Sequence, residues 1–455
     1  MSTAAAEIAE RGAAAGLKFY QFSFVDLFGV QRSKLVPASR VAEIAEGGAG
    51  FAGFAAHLDM DPTMGDLLAV PDAATLTPLP WQPEVGWLSC NLVHEDTELA
   101  HGPRNVLRSV QAKPAVHGVA LKTGVECEFF LLDGSAPAAR PALSDPLDAK
   151  PCYDAHALMR RYELISTLVS HMEQLGWGPY QADHEDANGP DRDRCGGSSV
   201  RARGTEQCRP FRTGQFEINW DFDDALARVT ADRVVLFKYM VRSLAERAGL
   251  RATFMPKPFA SLTGSGCHAH MHGLSPLALS FTAGLLAHAP ALTALTNPTV
   301  NSYKRLGARM TSSGATWCTD SPAARHGQER EAEPTDSPAD SGLPPNRLAD
   351  MSANPYLMAA AIGAAGLDGL RARSVPPPPT DRKPRLPEIT RDYPRASPPL
   401  PSNLAGALEA LDASSPLRSG LGDAFVDSYL KLRRAHWAEY MAQLTPWELE
   451  TYLDA

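Results

Sequence analysis

Polar and apolar positions alternate with period two along three stretches of this chain, and each reads as a β-strand. Val125 to Leu132 reads VECEFFLL, with Glu126 and Glu128 on one face and Cys127, Phe129 and Leu131 on the other. Phe216 to Trp220 reads FEINW, with Glu217 and Asn219 opposite Phe216, Ile218 and Trp220. The third stretch follows a Gly-rich bend, Gly264-Ser265-Gly266, and places His268, His270 and His272 on one face and Cys267, Ala269 and Met271 on the other. Helical spacing governs other segments. From Thr230 to Ala248 the apolar residues Val234, Phe237, Val241, Leu244 and Ala248 recur three and four apart, and Gly249 suits a C-cap. A helix is also predicted from Tyr153 to Leu175, ending at Gly176, and another opens at Pro103, a residue well placed in a first turn. Pro276 to His288 and Pro355 to Leu367 read as apolar, Ala-rich helices, and Gly420 to Leu453 as an amphipathic helix broken at Pro446. Short apolar runs between Gly and Pro turns, VGWLSCNLV among them, predict a β-rich unit from Leu17 to His101. Pro376 to Pro379 read as an exposed, extended connector.

The acidic strands raise a chemical question, because an unpaired carboxylate inside an apolar run is costly to bury. Bound cations or a solvated channel would remove that cost. A half-exposed sheet, or an edge strand with solvated histidines, would explain the same alternation. Carboxylates with one imidazole and no thiolate favour Mg²⁺ or Mn²⁺ over zinc. The chain has 455 residues, enough for two or three domains, and its net charge of −9 argues against a nucleic-acid binder. Its seven cysteines form no CxxC pair, and Cys127 and Cys267 read as reduced core thiols. No apolar run is long enough to span a membrane, and the Ala-rich start lacks the features of a secretory or organelle signal, so cytoplasm is the expected location.

Six motifs in order, VECEFFLL, HEDANG with QFEINW, TFMPKPF with GSGCHAH, NPTVNSYKR, SGATW and ANPYL, resemble those of glutamine synthetase, closest to its type III branch. The resemblance runs from Leu17 to the C-terminus with two gaps. It implies an α+β fold: a small N-terminal β-grasp domain over 1–101, then a larger catalytic domain over 102–455 with an antiparallel sheet and surrounding helices. It implies ATP-dependent ligation, in which the side-chain carboxylate of glutamate is phosphorylated and ammonia then displaces phosphate. Such phosphoryl transfer needs positioning and charge neutralisation above all. By motif, Glu128, Glu185 and Glu217 resemble the ligands of one Mg²⁺ or Mn²⁺, and Glu126 and His268 resemble two of three ligands of a second. Glu185 would also bind and deprotonate the incoming ammonium. His270 resembles an ATP contact. Gly264 and His268 would hold the amino acid, and Arg305 would clamp its carboxylate; without its motif Arg305 reads as a surface arginine. Arg347 matches the last arginine of a substrate-binding strand. The family also implies a homo-oligomer of stacked rings with active sites between subunits. The branch includes γ-glutamylmethylamide synthetases, so methylamine is an alternative acceptor.

Two segments depart from the family. Pro190 to Gly214 interrupts HEDANG-QFEINW with 25 residues, six of them arginine, and reads as loop or disorder. Cys318 to Asn346 replaces an arginine-rich motif while keeping its length. Pro345 stands where the family has the glutamate that completes the second metal, and Leu343 where an arginine is expected. The first reads as a retained non-coding stretch or a functional insertion and the second as a reading-frame excursion, and together they make a catalytically impaired subunit a third reading.

Overall fold

The computed structural model describes residues 2–113, 122–134, 152–187, 214–221, 223–224, 228–260, 262–272, 277–306, 343–346, 348–376 and 400–455. The chain starts with α1 (Thr3–Ala14), whose N-cap Ser2 accepts from the Ala5 N–H. The alternation patterns above do not include this helix. Its many alanines favour it, and Ala5, Ile8 and Gly12 form a buried stripe at helical spacing.

A first sheet follows, built from β1 (Phe19–Val25), β2 (Gln31–Pro37), β3 (Ala49–Phe51), β4 (Leu67–Pro71), β5 (Thr77–Leu79), β6 (Gln82–His94) and β7 (Thr97–Glu98), with α2 (Val41–Gly47) beside it. The path is β2-β1-β6-β4-β3, and β5 and β7 also pair with β6. The long strand β6 is the spine, and only its pairing with β1 is parallel. Then α3 (Pro103–Gln111) begins with proline in its first turn, as the sequence predicts.

The second sheet carries the acidic strands. It comprises β8 (Lys122–Asp133), β9 (Pro179–His184), β10 (Gly214–Trp220), β11 (Asp223–Asp224), β12 (Leu250–Thr253), β13 (Cys267–His272) and β14 (Leu343–Asn346). Its path is β14-β13-β8-β10-β9, with β11 and β12 also on β8, and every pairing is antiparallel. Two bland readings of the alternation fail here. β13 lies between β14 and β8, so it is not an edge strand, and every residue of β10 is buried. Gly214, counted above with the insertion, is already the first residue of β10, opposite Leu131; residues 190–213 lie outside the described residues. So does most of the divergent segment, but its last four residues form β14 at the sheet edge, a position where proline costs little.

Helices cover the apolar side of this sheet. α6 (Arg228–Arg247) buries Val234, Phe237 and Val241 and ends before Gly249, which takes φ +70° as its C-cap role requires. The helix predicted from Tyr153 is instead two, α4 (Ala155–Met159) and α5 (Tyr162–Gln174). Tyr153 stands outside with φ +64°, and Asp154 caps α4 by accepting from the Ala157 N–H. Apolar helices α7 (Ala278–Ala287) and α8 (Ala289–Thr296) precede the short α9 (Ser302–Leu306), and α10 (Pro355–Arg371) runs four residues past its expected end. The tail is α11 (Leu404–Ala413), α12 (Ser415–Leu421), α13 (Asp423–Met441) and α14 (Pro446–Tyr452). Gly422 at φ +100° splits the helix expected from Gly420. Pro377 to Pro379 lie outside the described residues. Among those described, no single helix is long and apolar enough to cross a membrane.

A buried polar network joins the first sheet to helices α3, α6 and α10. Arg104 of α3 pairs with Asp72 at 2.9 Å and with Asp232 of α6 at 3.0 Å. Tyr356 of α10 donates to Asp232 at 2.5 Å and meets Ser89 of β6 at 3.1 Å.

Candidate active site

Three neighbouring strands place the acids. His268 is directly opposite Glu126 across β13 and β8, and Glu217 is directly opposite Glu128 across β10 and β8. Side chains opposite one another in a ladder share a face. The other face is apolar: Cys127, Phe129, Phe216 and Ile218 are fully buried, and Cys127 faces Cys267 as a reduced pair. Burial holds the Cys127 thiol protonated.

The polar face gathers the predicted residues into one group. His268 Nδ1 lies 2.6 Å from Glu126 Oε2, and its Nε2 lies 3.8 Å from Glu128 Oε1. Donor atoms of Glu126, Glu217 and His268 lie within 4.8 Å of one another, as do those of Asp183, Glu185 and Glu217. Glu185 follows β9 directly and donates its backbone N–H to the Gln215 carbonyl, which brings it to β10. Glu128 has a different setting from the other acids. Its Oε2 accepts from the Gly266 N–H at 2.9 Å and from Gln215 Nε2 at 3.0 Å.

Gly264 and Gly266 are glycine for steric reasons. A Cβ on Gly266 would sit 2.8 Å from Arg305 Nη2, 2.8 Å from Glu128 Oε1 and 2.9 Å from His268 Nε2, so this bend faces the convergence of all three. A Cβ on Gly264 would meet the Pro256 carbonyl at 2.4 Å and Arg305 Cγ at 2.9 Å. Arg305 is only 1% exposed, which overturns the surface-arginine reading. Its Nη1 donates to the Leu348 carbonyl at 2.9 Å. Asn301 bonds both backbone groups of Lys257, so the NSYKR and TFMPKP segments hold each other. Asn297 clasps the Leu348 carbonyl and Asp350, and the Cys267 N–H donates to Ala349, fixing residues 348–350 against β13.

The electrostatics record crowded negative charge. Burial and then Glu128 push the Glu185 carboxyl up to about 8. Burial and then Glu128 also push Asp183 up to about 6 and raise Glu217 well above the usual range. Several buried acceptors at the site have no hydrogen-bond partner among the described residues: Asp183 Oδ1, Gln215 Oε1, Asn219 Oδ1 and His268 Nε2. Hard oxygen donors, one imidazole and orphaned buried acceptors fit Mg²⁺ or Mn²⁺. Such cations would neutralise the repulsion and supply a charged template for phosphate.

Glu126, Glu128, Glu185, Glu217, His268, Gly264 and Arg305 are thus brought together. His270 lies in β13 opposite Gly124, but its side chain is outside the described residues, as is Arg347. Asp183 is the acid that the motifs leave out. It stands two residues before Glu185, the same spacing that marks Glu126 and Glu128, and directly opposite Glu217. That spacing is a legible signal, but PYQADH lacks the apolar alternation that marks the other strands.

Residues 205–452 match the family "Glutamine synthetase, catalytic domain". The glutamine synthetase of Rhizobium leguminosarum bv. phaseoli is 42% identical over 461 residues, covering 96% of this chain and 97% of that protein. The glutamate–methylamine ligase of Methyloversatilis universalis is 37% identical over 463 residues, covering 96% of each. The solved structure of GmaS without ligand superposes with a TM-score of 0.81 at 46% identity, covering 98% of this chain and 99% of that one; a GmaS complex with ADP gives 0.80.

Proposed function

The chain belongs to the glutamine synthetase family and is a ligase, and from that premise we propose that it joins ammonia to the γ-carboxylate of L-glutamate at the expense of ATP. ATP phosphorylates the carboxylate, and ammonia then displaces phosphate to leave glutamine, ADP and phosphate. The observation that carries this reading is the gathering of Glu126, Glu185, Glu217 and His268, with Glu128 beside them, on one buried sheet face.

In this reading Glu128, Glu185 and Glu217 hold one Mg²⁺ or Mn²⁺, and Glu126 and His268 hold another. When bound, such cations would supply neutralising charge for the phosphates and the reacting carboxylate. Glu185 also binds the ammonium and takes its proton. Gly264 and His268 hold the amino acid. Arg305 grips the substrate carboxylate, His270 contacts ATP, and Arg347 adds a substrate contact. Residues 1–101 form the N-terminal β-grasp unit and 102–455 the catalytic unit. The working form is a cytoplasmic homo-oligomer of stacked rings.

A second reading takes methylamine as acceptor, and the 46% identity to GmaS over 98% of this chain favours it. The deciding experiment is phosphate release from ATP and glutamate with ammonium, with methylamine and with no amine. Ammonium-dependent release supports the first reading, and methylamine-dependent release without an ammonium response supports the second. No release with either amine would overturn both and leave an impaired subunit.

A further inference from the structure

Gln215 touches three parts of the site at once. Its side-chain Nε2 donates to Glu128 Oε2 at 3.0 Å and to the Gly264 carbonyl at 3.2 Å. Its backbone carbonyl accepts the Glu185 N–H at 2.8 Å. We propose that Gln215 is a positioning residue that couples the bend at Gly264 to the carboxylate of Glu128, so that glutamate and the divalent cation each bind more tightly when the other is present. The coupling rests on the ligase reading for the identity of the amino acid and for Glu128 as a metal ligand.

The ladder puts Gln215 where it can do this. Gln215 and Glu217 lie two apart on β10, opposite Phe130 and Glu128 of β8, so Gln215 shares the acidic face one step along from the carboxylates. Beyond it that face turns apolar, where Phe130, Leu132 and Ala187 cluster. A carboxamide at this border brings two N–H donors and no charge. Both of its partners are acceptors, so the NH₂ end must face them; the flipped amide would set oxygen against oxygen. Gln215 is fully buried, and its Oε1 has no hydrogen-bond partner among the described residues. An amide kept only to fill space would be better replaced by an apolar chain, because an unpaired buried acceptor is costly.

The same bonds fix how Glu128 presents itself. Gln215 and the Gly266 N–H both bind Oε2, at 3.0 and 2.9 Å. That leaves Oε1 turned toward His268 Nε2, 3.8 Å away, as the oxygen that can meet a cation. The bend is tied to this carboxylate at both ends, Gly264 through Gln215 and Gly266 directly, while the Ser265 N–H is anchored on the Pro256 carbonyl. An amino acid seated at Gly264 therefore loads the Gln215 amide, and the amide orients Glu128. A cation on Oε1 acts along the same path in reverse. Linkage requires the two effects to be equal in size.

The test is calorimetric binding of Mn²⁺ and of L-glutamate to the metal-free full chain, each with and without the other, with no turnover required. In the wild type each ligand should tighten the other by the same factor, at least about 5-fold. Gln215→Met keeps the length of the side chain and removes both donors, while Glu128 keeps its Gly266 donor. This variant should bind each ligand alone within about 3-fold of the wild type, and its coupling factor should fall to about 1. A residue that merely supports the fold would weaken both ligands alone and leave the coupling factor unchanged. Gln215→Leu serves as a second variant should methionine disturb the fold, with circular dichroism as the check. Wild-type coupling in the variants, or no coupling in the wild type, would overturn this role. If the coupling is present and lost as expected while no amine triggers phosphate release, the ligase reading fails and the role of Gln215 stands. If phosphate release is amine-dependent while Gln215→Met keeps the wild-type coupling, the role fails and the ligase reading stands.

Discussion

Replacing Glu185 by glutamine should stabilise the metal-free protein, and the gain should grow with pH. Burial and the neighbouring acids push the half-buried Glu185 carboxyl up from an ordinary 4.5 to about 8. A raised carboxyl pKa means that stability is fully present below 4.5 and is lost as pH rises through 8, because the folded state must give up a proton it holds tightly. A tenfold change in proton affinity is about 1.4 kcal/mol, so the span from 4.5 to about 8 sets a ceiling of about 5 kcal/mol. Glu185 is only partly buried and water screens it, so about 2–3 kcal/mol is the expected gain above pH 8. Glutamine keeps the shape and removes the charge. At pH 5 the two proteins should melt together; at pH 8.5 the variant should melt higher, on the order of 3 °C. Saturating Mn²⁺ should then reverse the order, since the wild type gains binding energy that the variant has lost. The assay is thermal unfolding of chelator-treated, dialysed protein across that pH range, with and without Mn²⁺. Parallel profiles, or a gap widest at pH 5, would refute the reasoning.

Other consequences are as direct. Gly266→Ala should lower kcat/KM for amide formation by about 100-fold with an unchanged circular dichroism spectrum, because its methyl would press on Glu128, His268 and Arg305 within 3 Å. Asp232→Ala should cost about 3 kcal/mol in urea unfolding, since it removes one of the two carboxylates paired with buried Arg104 and the carboxylate to which Tyr356 donates. Phe237→Ala should cost about 3–5 kcal/mol by the same measurement, as it empties a fully buried place between Phe129, Trp220 and Phe254.

The parts of this fold that are legible in the sequence are those with a strong period. VECEFFLL, FEINW and CHAHMH announce their faces because one side chain in two must be apolar to pack on α6. The Val234–Phe237–Val241 stripe announces α6 for the matching reason. Two things escape such patterns. One is local backbone geometry: Tyr153 at φ +64° and Gly422 at φ +100° split helices that side-chain spacing alone would run together. The other is register. Which acid faces which depends on how strands slide past one another, and one residue of slip would exchange the faces. Asp183 therefore reads as an ordinary polar residue until β9 is laid beside β10. The buried state of Arg305 is likewise invisible in NSYKR, because it depends on Leu348 arriving from 43 residues away.

The pairing of β9 with β10 has a consequence for engineering. His184 and Phe216 are partners in the ladder, so the covalent path between them begins and ends one strand spacing apart. Closing such a path costs little more as it lengthens, about 0.6 kcal/mol per doubling. Chain length beyond Glu185 is therefore a free variable of the architecture, with Glu217 fixed in the ladder and Glu185 tied to Gln215 by its backbone N–H. A reporter domain whose own termini lie close together can be spliced in there.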